Sequence, residues 1–300
     1  MSGGLERGEA SSSRRTPGSR SGQDRGLEAG RSWTPIFIGE TKAKGLSRHP
    51  RTRTILITGA TSGLGRYLAE RLARENVVLV HGRDRERTEQ LAAQLGGRPY
   101  VADLGGLAEV RRLAAEVAAD HPRLDVLINN AGIGYGQERE LSPDGHELRF
   151  AVMYLAPLLL TRLLLPRITS NVLNIGSQGQ EALDLDDLAM EKTYDGITAY
   201  RRAKLALVMA TFDLAAERPD LRVNVVHPAT YMDTNMVRRG GGTPLNTVEY
   251  GGEATLRVLA TPVTGTYFHE DRPAEAHPDA YREELRARLR EATNAILGLR

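Results

Sequence analysis

From residue 54 onward, short apolar runs alternate with longer stretches in which apolar residues recur at helical spacing. The runs fall at 55–57, 77–80, 98–102, 124–128, 171–175, 221–226 and 265–268, and most are rich in valine, isoleucine and leucine. Continuous apolar runs of this length suit strands buried on both faces of a parallel sheet. Between them the pattern predicts helices over 66–75, 85–95, 106–120, 147–168, 200–217 and 247–260. An amphipathic helix laced with arginine and glutamate follows at 278–297. Strand and helix in regular alternation mark βαβ units. The helix over 147–168 is apolar enough to be a candidate contact between subunits.

The first 50 residues break this pattern. They are rich in Gly, Ser, Arg and Glu, with one small apolar patch from Trp33 to Ile38. Such a segment buries too little surface to offset the entropy of ordering it, so residues 1–50 are expected to form a disordered extension. They lack a signal peptide's apolar core, and Glu6, Glu9, Asp24 and Glu28 count against a transit peptide. The sharper alternative is an arm that docks a partner through Trp33 and residues 36–38.

Composition narrows the function classes. Three hundred residues with 40% apolar content can bury one sizeable α/β core, here placed in residues 51–300. A net charge of +2 argues against a nucleic-acid binder. With no cysteine, neither a disulfide framework nor a Cys-ligated metal site can form, which fits a reducing, cytoplasmic location. The longest apolar run, 150–160, is too short to span a bilayer, so no membrane partner is expected.

Chemistry concentrates at the first strand-to-helix turn, Thr54-Ile-Leu-Ile-Thr-Gly-Ala-Thr-Ser-Gly-Leu-Gly65. Glycines there permit positive φ and close backbone approach to a ligand. The following helix N-terminus offers free N–H groups and partial positive charge to a pyrophosphate. The spacing, Gly-x3-Gly-x-Gly, differs from the commonest dinucleotide fingerprint. Three further stretches follow in order: Asn129-Asn-Ala-Gly132, Ser177 after the fifth strand, and Tyr200-Arg-Arg-Ala-Lys204. Tyr-x3-Lys puts both side chains on one helical face, one turn apart, where an ammonium favours the phenolate and pulls the Tyr pKa down. Lys204 is one of only four lysines in an arginine-rich chain.

Over about residues 53 to 270 the sequence resembles the short-chain dehydrogenase/reductases, with an insert before Tyr200 similar to that of retinol-dehydrogenase-like members. The resemblance implies a single doubly wound Rossmann domain, with a seven-stranded parallel sheet flanked by helices. It implies a hydride exchanged between NADP(H) and a small-molecule alcohol or carbonyl, in a homodimer or homotetramer. Ser177, Tyr200 and Lys204 would be the catalytic set, with Tyr200 as acid/base. Thr58, Gly59, Ser62, Gly63, Leu64, Gly65, Asp103, Leu104, Asn130, Ala131, Gly132, Tyr200, Lys204, Pro228 and Thr234 would meet the cofactor. No metal is expected.

Gly82 stands where an acid would select NAD, and Arg83 follows it. An arginine there accommodates the 2′-phosphate, so NADP is expected over NAD. The competing reading makes Arg83 a solvated arginine and Asp84 an imperfect NAD selector. Asp103 reads equally as an N-cap for the helix from Gly106. Asp184, Asp186 and Asp187 in the insert read as a solvated acidic loop, since no histidine lies close by. Residues 230–246 read as a mobile loop over the substrate. Two departures from the family stand out. Thr234 lies one residue late relative to Pro228, and Met153 replaces the Asn that helps hold a water linking the lysine to solvent. Met153 motivates the rival reading, an NADP(H)-binding regulatory or scaffold protein with impaired turnover.

Overall fold

The computed structural model describes residues 36–37 (as backbone), 52–135 and 138–299. The expectation of disorder over 1–50 therefore lies outside the described residues, except at β1 (Ile36–Phe37). In chain order there follow β2 (Thr54–Ile57), α1 (Gly63–Leu72), β3 (Val77–Gly82), α2 (Arg85–Leu95), β4 (Arg98–Val101), α3 (Leu107–Asp120) and β5 (Leu124–Asn129). Then come α4 (Leu148–Phe150), a π-helical turn (Ala151–Leu155), α5 (Ala156–Leu164), β6 (Ile168–Ile175), α6 (Gly196–Glu217) and β7 (Arg222–His227). The chain closes with α7 (Asn235–Arg239), α8 (Val248–Ala260), β8 (Val263–Thr264), β9 (Tyr267–His269), β10 (Arg272–Pro273), a 3₁₀ turn (Pro278–Tyr281) and α9 (Glu283–Leu297).

The main sheet runs β10-β9-β7-β6-β5-β2-β3-β4. Seven of these strands are parallel, as expected, but an eighth joins them: β10 pairs antiparallel with β9, Arg272 opposite His269. Two residues ending in proline give no periodic signal, and proline lacks the donor an inner strand needs, so this strand sits at an edge. Strand order reverses between β2 and β5, where Ile57 lies beside Ile128. Crevices at such reversals, beyond the C-terminal strand ends, are where open α/β sheets bind ligands.

Alternate residues of each strand face opposite layers, which explains the continuous apolar runs. Leu56, Leu79 and Leu127 pack toward α3, α5, α6 and α9, whereas Ile55, Ile57, Val80 and Ile128 pack toward α1, α2 and α8. The helix expected over 147–168 stops at Leu164, and Ile168 already opens β6. Its Tyr154 side is covered within the chain by α9, where Tyr154 and Thr293 share a 2.9 Å hydrogen bond. Arg286 and Arg290 of α9 also grip Asp213 of α6. β1 pairs antiparallel with β8, Ile36 opposite Thr264 and Phe37 opposite Val263, so these two residues pair through their backbone with the same chain.

Candidate active site

The glycine loop between β2 and α1 is held by backbone contacts. Gly59 and Gly63 have φ of +65° and +50°. A Cβ on Gly65 would stand 2.2 Å from the Gly59 carbonyl oxygen and 2.4 Å from Asn130 Nδ2. Thr58 Oγ1 accepts from the Asn130 and Ala131 amides at 3.0 and 3.1 Å. Asn130 Nδ2 donates to the Thr58 and Gly59 carbonyls at 2.8 and 3.1 Å. Thr58, Asn130 and Ala131 thus shape the loop from behind. Leu64 is buried in the core, while Ser62 is exposed at the N-cap of α1 and makes no side-chain capping bond. A helix end with unspent N–H groups beside a glycine cradle that no side chain can enter fits a pyrophosphate.

His81 shares in this loop and went unnoticed in the sequence. Its Nδ1 accepts from the Gly59 amide at 3.2 Å and its Nε2 faces the Ala102 carbonyl at 3.2 Å, so the ring is neutral with its proton on Nε2. Burial pushes its pKa down to about 4. A lone histidine inside an apolar strand carries no motif, so only the fold reveals it.

At the end of β3, a Cβ on Gly82 would lie 2.4 Å from Thr88 Oγ1 and 2.6 Å from Thr61 Cγ2. An acid cannot be placed there without moving both threonines. Asp84 is committed elsewhere, capping α2 by accepting from the Arg87 amide at 3.0 Å. Arg83 is exposed and lies 3.9 Å from Asp103, which brings two of the expected cofactor contacts together. Asp103 does not cap α3. It accepts from the Gly105 amide at 2.9 Å, and the Leu107 amide is taken by Asp144 from a distant loop. Leu104 is 6% exposed in the core, which leaves only its backbone for a ligand.

The expected catalytic residues converge from two elements. Ser177 follows β6, Tyr200 and Lys204 lie on α6, and Ser177 stands near enough to the Tyr200 hydroxyl to lower its pKa. Asp195 caps α6 five residues before Tyr200, accepting from the Thr198 amide at 2.7 Å. The expected direction of the Tyr200 shift needs correction: its pKa is pushed up to about 12, because burial outweighs the lowering effect of Ser177. Lys204 does not offset this. Its Nζ sits 5.7 Å from the Tyr200 ring centroid and donates to the Ile175 carbonyl at 2.7 Å. Burial in turn lowers Lys204 to about 8.

Met153 is buried at the centre of the π-helical turn, clustered with Val152 and Ala203 where Tyr200 packs, and its Sδ would stand 3.7 Å from a Cβ on Gly132. In that turn the Ala156 amide reaches back to the Ala151 carbonyl, one residue beyond the α-helical partner. π-Turns of this kind occur often at functional sites. Tyr135, on the loop after β5, stands edge-on to Tyr200 with centroids 4.9 Å apart.

The segment over 230–246 is more structured than a loop, since it contains α7, capped by Thr234. Thr234 Cγ2 would meet a Cβ on Gly63 at 3.1 Å, and Met236 lies against Gly132 and Gly134. This lid therefore touches both the glycine loop and the wall beside Tyr200. Pro228 is buried at its root. In the insert, Asp187 accepts from the Glu191 and Lys192 amides and Asp184 from the Asp186 amide. Those two carboxylates serve their own turns, and Asp186 pairs with Arg288 at 3.0 Å.

Comparison with known proteins agrees with this architecture. A family model for short chain dehydrogenases matches residues 53–241. Human retinol dehydrogenase 14 is 33% identical, with 82% of this chain and 87% of the relative covered. A Streptomyces protein assigned as the daunorubicin C-13 ketoreductase DnrU is 34% identical, covering 82% of this chain and 93% of its own. Among solved structures, an uncharacterised protein of Mycobacterium paratuberculosis matches with a TM-score of 0.72 at 29% identity, covering 82% of this chain and 94% of the other. Pseudomonas aeruginosa RhlG, solved as an NADP active-site complex, matches with a TM-score of 0.60 at 25% identity, covering 72% and 94%. Glycine cradle, sheet order and matched span lead to one conclusion: the chain belongs to the short-chain dehydrogenase family of nicotinamide-dependent oxidoreductases.

Proposed function

We propose that this protein interconverts an alcohol and a carbonyl with NADP(H), using Tyr200 as the proton donor and acceptor. The observation that carries the reading is the meeting of Ser177, Tyr200 and Lys204 from separate elements, beside the loop at Gly132. The nicotinamide, when bound, supplies or takes the hydride. The chain's own residues do the rest. The glycine cradle and the α1 N-terminus would hold the pyrophosphate, and Arg83 would pair with the 2′-phosphate. Ser177 donates to the substrate oxygen, and Tyr200 Oη gives that oxygen its proton during reduction and removes it during oxidation. Lys204, one turn along α6 from Tyr200, is placed to hold the cofactor ribose. Relatives named for retinol and for a C-13 ketone support an alcohol/carbonyl couple.

The test is turnover of a panel of aldehydes and ketones with NADPH by wild type and Tyr200→Phe. The variant is expected to lose roughly 10²–10⁴-fold in kcat, the usual contribution of a proton-transfer group, while still binding NADPH. A second reading, a cofactor-binding protein without turnover, draws on Met153 and on the raised Tyr200 pKa. It takes over if wild type and Tyr200→Phe are equally inert while both bind NADPH.

A further inference from the structure

Arg149 of α4 is 3% exposed, and its partner Glu147 is 1% exposed. A guanidinium buried so deeply needs every donor paired, and this one is bound to three segments. Its Nε donates to the Gly134 carbonyl at 3.2 Å. Its Nη1 donates to Glu147 Oε1 at 3.1 Å and to Tyr194 Oη at 2.8 Å. Its Nη2 reaches Glu140 at 3.5 Å. Tyr194 Oη in turn donates to Glu147 Oε1 at 3.2 Å, and Glu147 Oε2 accepts from the Phe150 amide at 2.7 Å. Four of the five N–H groups of Arg149 thus have acceptors, and the Tyr194 hydroxyl is used both as acceptor and as donor. A second tie runs parallel to it, from Arg139 Nε to the Ala189 carbonyl at 2.9 Å.

The segments joined in this way flank the reaction site. Gly134 precedes Tyr135, whose ring meets Tyr200 edge-on. Tyr194 ends the insert and precedes Asp195, the cap that starts the helix carrying Tyr200 and Lys204. The π-turn with Met153 begins two residues after Arg149. We propose that Arg149 is a positioning residue that clamps the loop after β5 to the insert before α6, and so sets the width of the substrate mouth at Tyr200. The inference rests on the reductase reading for its kinetic consequence, and on the hydrogen-bond geometry alone for the clamp. Arginine suits the task because its planar fork holds several acceptors in fixed directions, which a lysine cannot do.

Two variants test it. Tyr194→Phe removes one hydroxyl without stranding a charge, and Arg149→Lys keeps the charge but loses the fork. A bulky aromatic ketone and a small aldehyde are compared for kcat/KM, with NADPH affinity measured alongside. For Tyr194→Phe the bulky substrate should lose roughly fivefold relative to the small one, since the two bonds of the hydroxyl go while the Arg149–Glu147 pair remains. For Arg149→Lys the loss should reach on the order of tenfold or more, since charged hydrogen bonds go with the fork. NADPH affinity should stay within about twofold, because the glycine cradle makes no contact with Arg149. Amide hydrogen exchange supplies a readout without turnover: residues 138–142 and 183–195 should exchange faster together, while β2 and β5 stay protected. Equal losses on both substrates, loosening of one segment alone, or general loosening of the sheet in Tyr194→Phe would overturn the clamp. If wild type reduces no carbonyl, the reductase reading fails, and the exchange experiment still decides whether the two segments are coupled.

Discussion

The nucleotide side and the substrate side of this crevice are built by different means. Around the glycine loop, the decisive contacts are backbone to backbone or come from small side chains close in space. Gly65 lies against the Gly59 carbonyl, and Thr58 and Asn130 bridge β2 to β5. Around Tyr200, the walls are side-chain networks reaching across many residues: Arg149 to Tyr194, Arg139 to Ala189, and Met236 onto Gly132. Backbone cradles tolerate almost no added atom, whereas side-chain walls can be retuned one residue at a time. This difference lets one side recognise a constant ligand while the other adapts to a particular substrate.

The contrast is broken most severely at Gly65. Gly65→Ala forces a Cβ into a carbonyl oxygen, and overpacking against backbone should cost about 3 kcal/mol or more, along with cofactor binding. Thermal unfolding with and without NADPH checks this; a stable variant that binds normally would show that the cradle yields.

Acid probes two strand ends at once. His81 in β3 and His227 at the end of β7 are both pushed down to about 4, chiefly by burial, and for His227 also by His269 and Lys204. Unfolded histidine titrates near 6.5, so the unfolded chain binds more protons between these values. The stability these two neutral rings contribute is present above about pH 6.5 and is lost as pH falls toward 4. Each should contribute roughly 3 kcal/mol of that loss. Denaturant unfolding at pH 7 and pH 4.5 should show the fall, and His81→Asn should remove about half of it. An unchanged slope in the variant would rule out the His81 share.

Arg83→Ala should weaken NADPH by ~1–3 kcal/mol, the range for a hydrogen bond to a charged group, and leave NADH almost unaffected. Titration of both cofactors against both proteins decides it, and equal loss for the two would remove Arg83 from the 2′-phosphate.

The smallest effect is expected at Met153, where the sides meet. A thioether is a weak acceptor, so a water there relies on backbone carbonyls. Met153→Asn should raise kcat by less than ~10²-fold, since a partial relay defect costs less than a missing proton-transfer group. It should also lower Tm, because burying an amide without ready partners is unfavourable. A drop in both quantities would show that Met153 is there for packing alone.

Much of the nucleotide side could be read before any coordinates, because its requirements are local. Gly59, Gly63 and Gly65 sit within seven residues, and apolar runs such as 55–57 and 124–128 announce buried strands. Gly82 with Arg83 was visible for the same reason. His81 was not, because its partners are carried by Gly59 and Ala102, two strand ends away. Asp103 shows the same limit: next to a predicted helix it reads as a cap, yet the Leu107 amide goes to Asp144, 37 residues on.

Periodicity and motif order in the chain are enough to establish the parallel α/β sheet, the place of the dinucleotide crevice and the Tyr-x3-Lys pair on one helical face. These follow from steric rules that act within a few residues. What the chain does with that pair was decided by tertiary structure. The folded core desolvates Tyr200 and Lys204 and shifts both pKa values toward the neutral forms. The lid brings Thr234 to Gly63, and Arg149 draws the insert to the wall beside Tyr135. Burial and long-range hydrogen bonding are properties of the packed molecule, and no window along the sequence contains them.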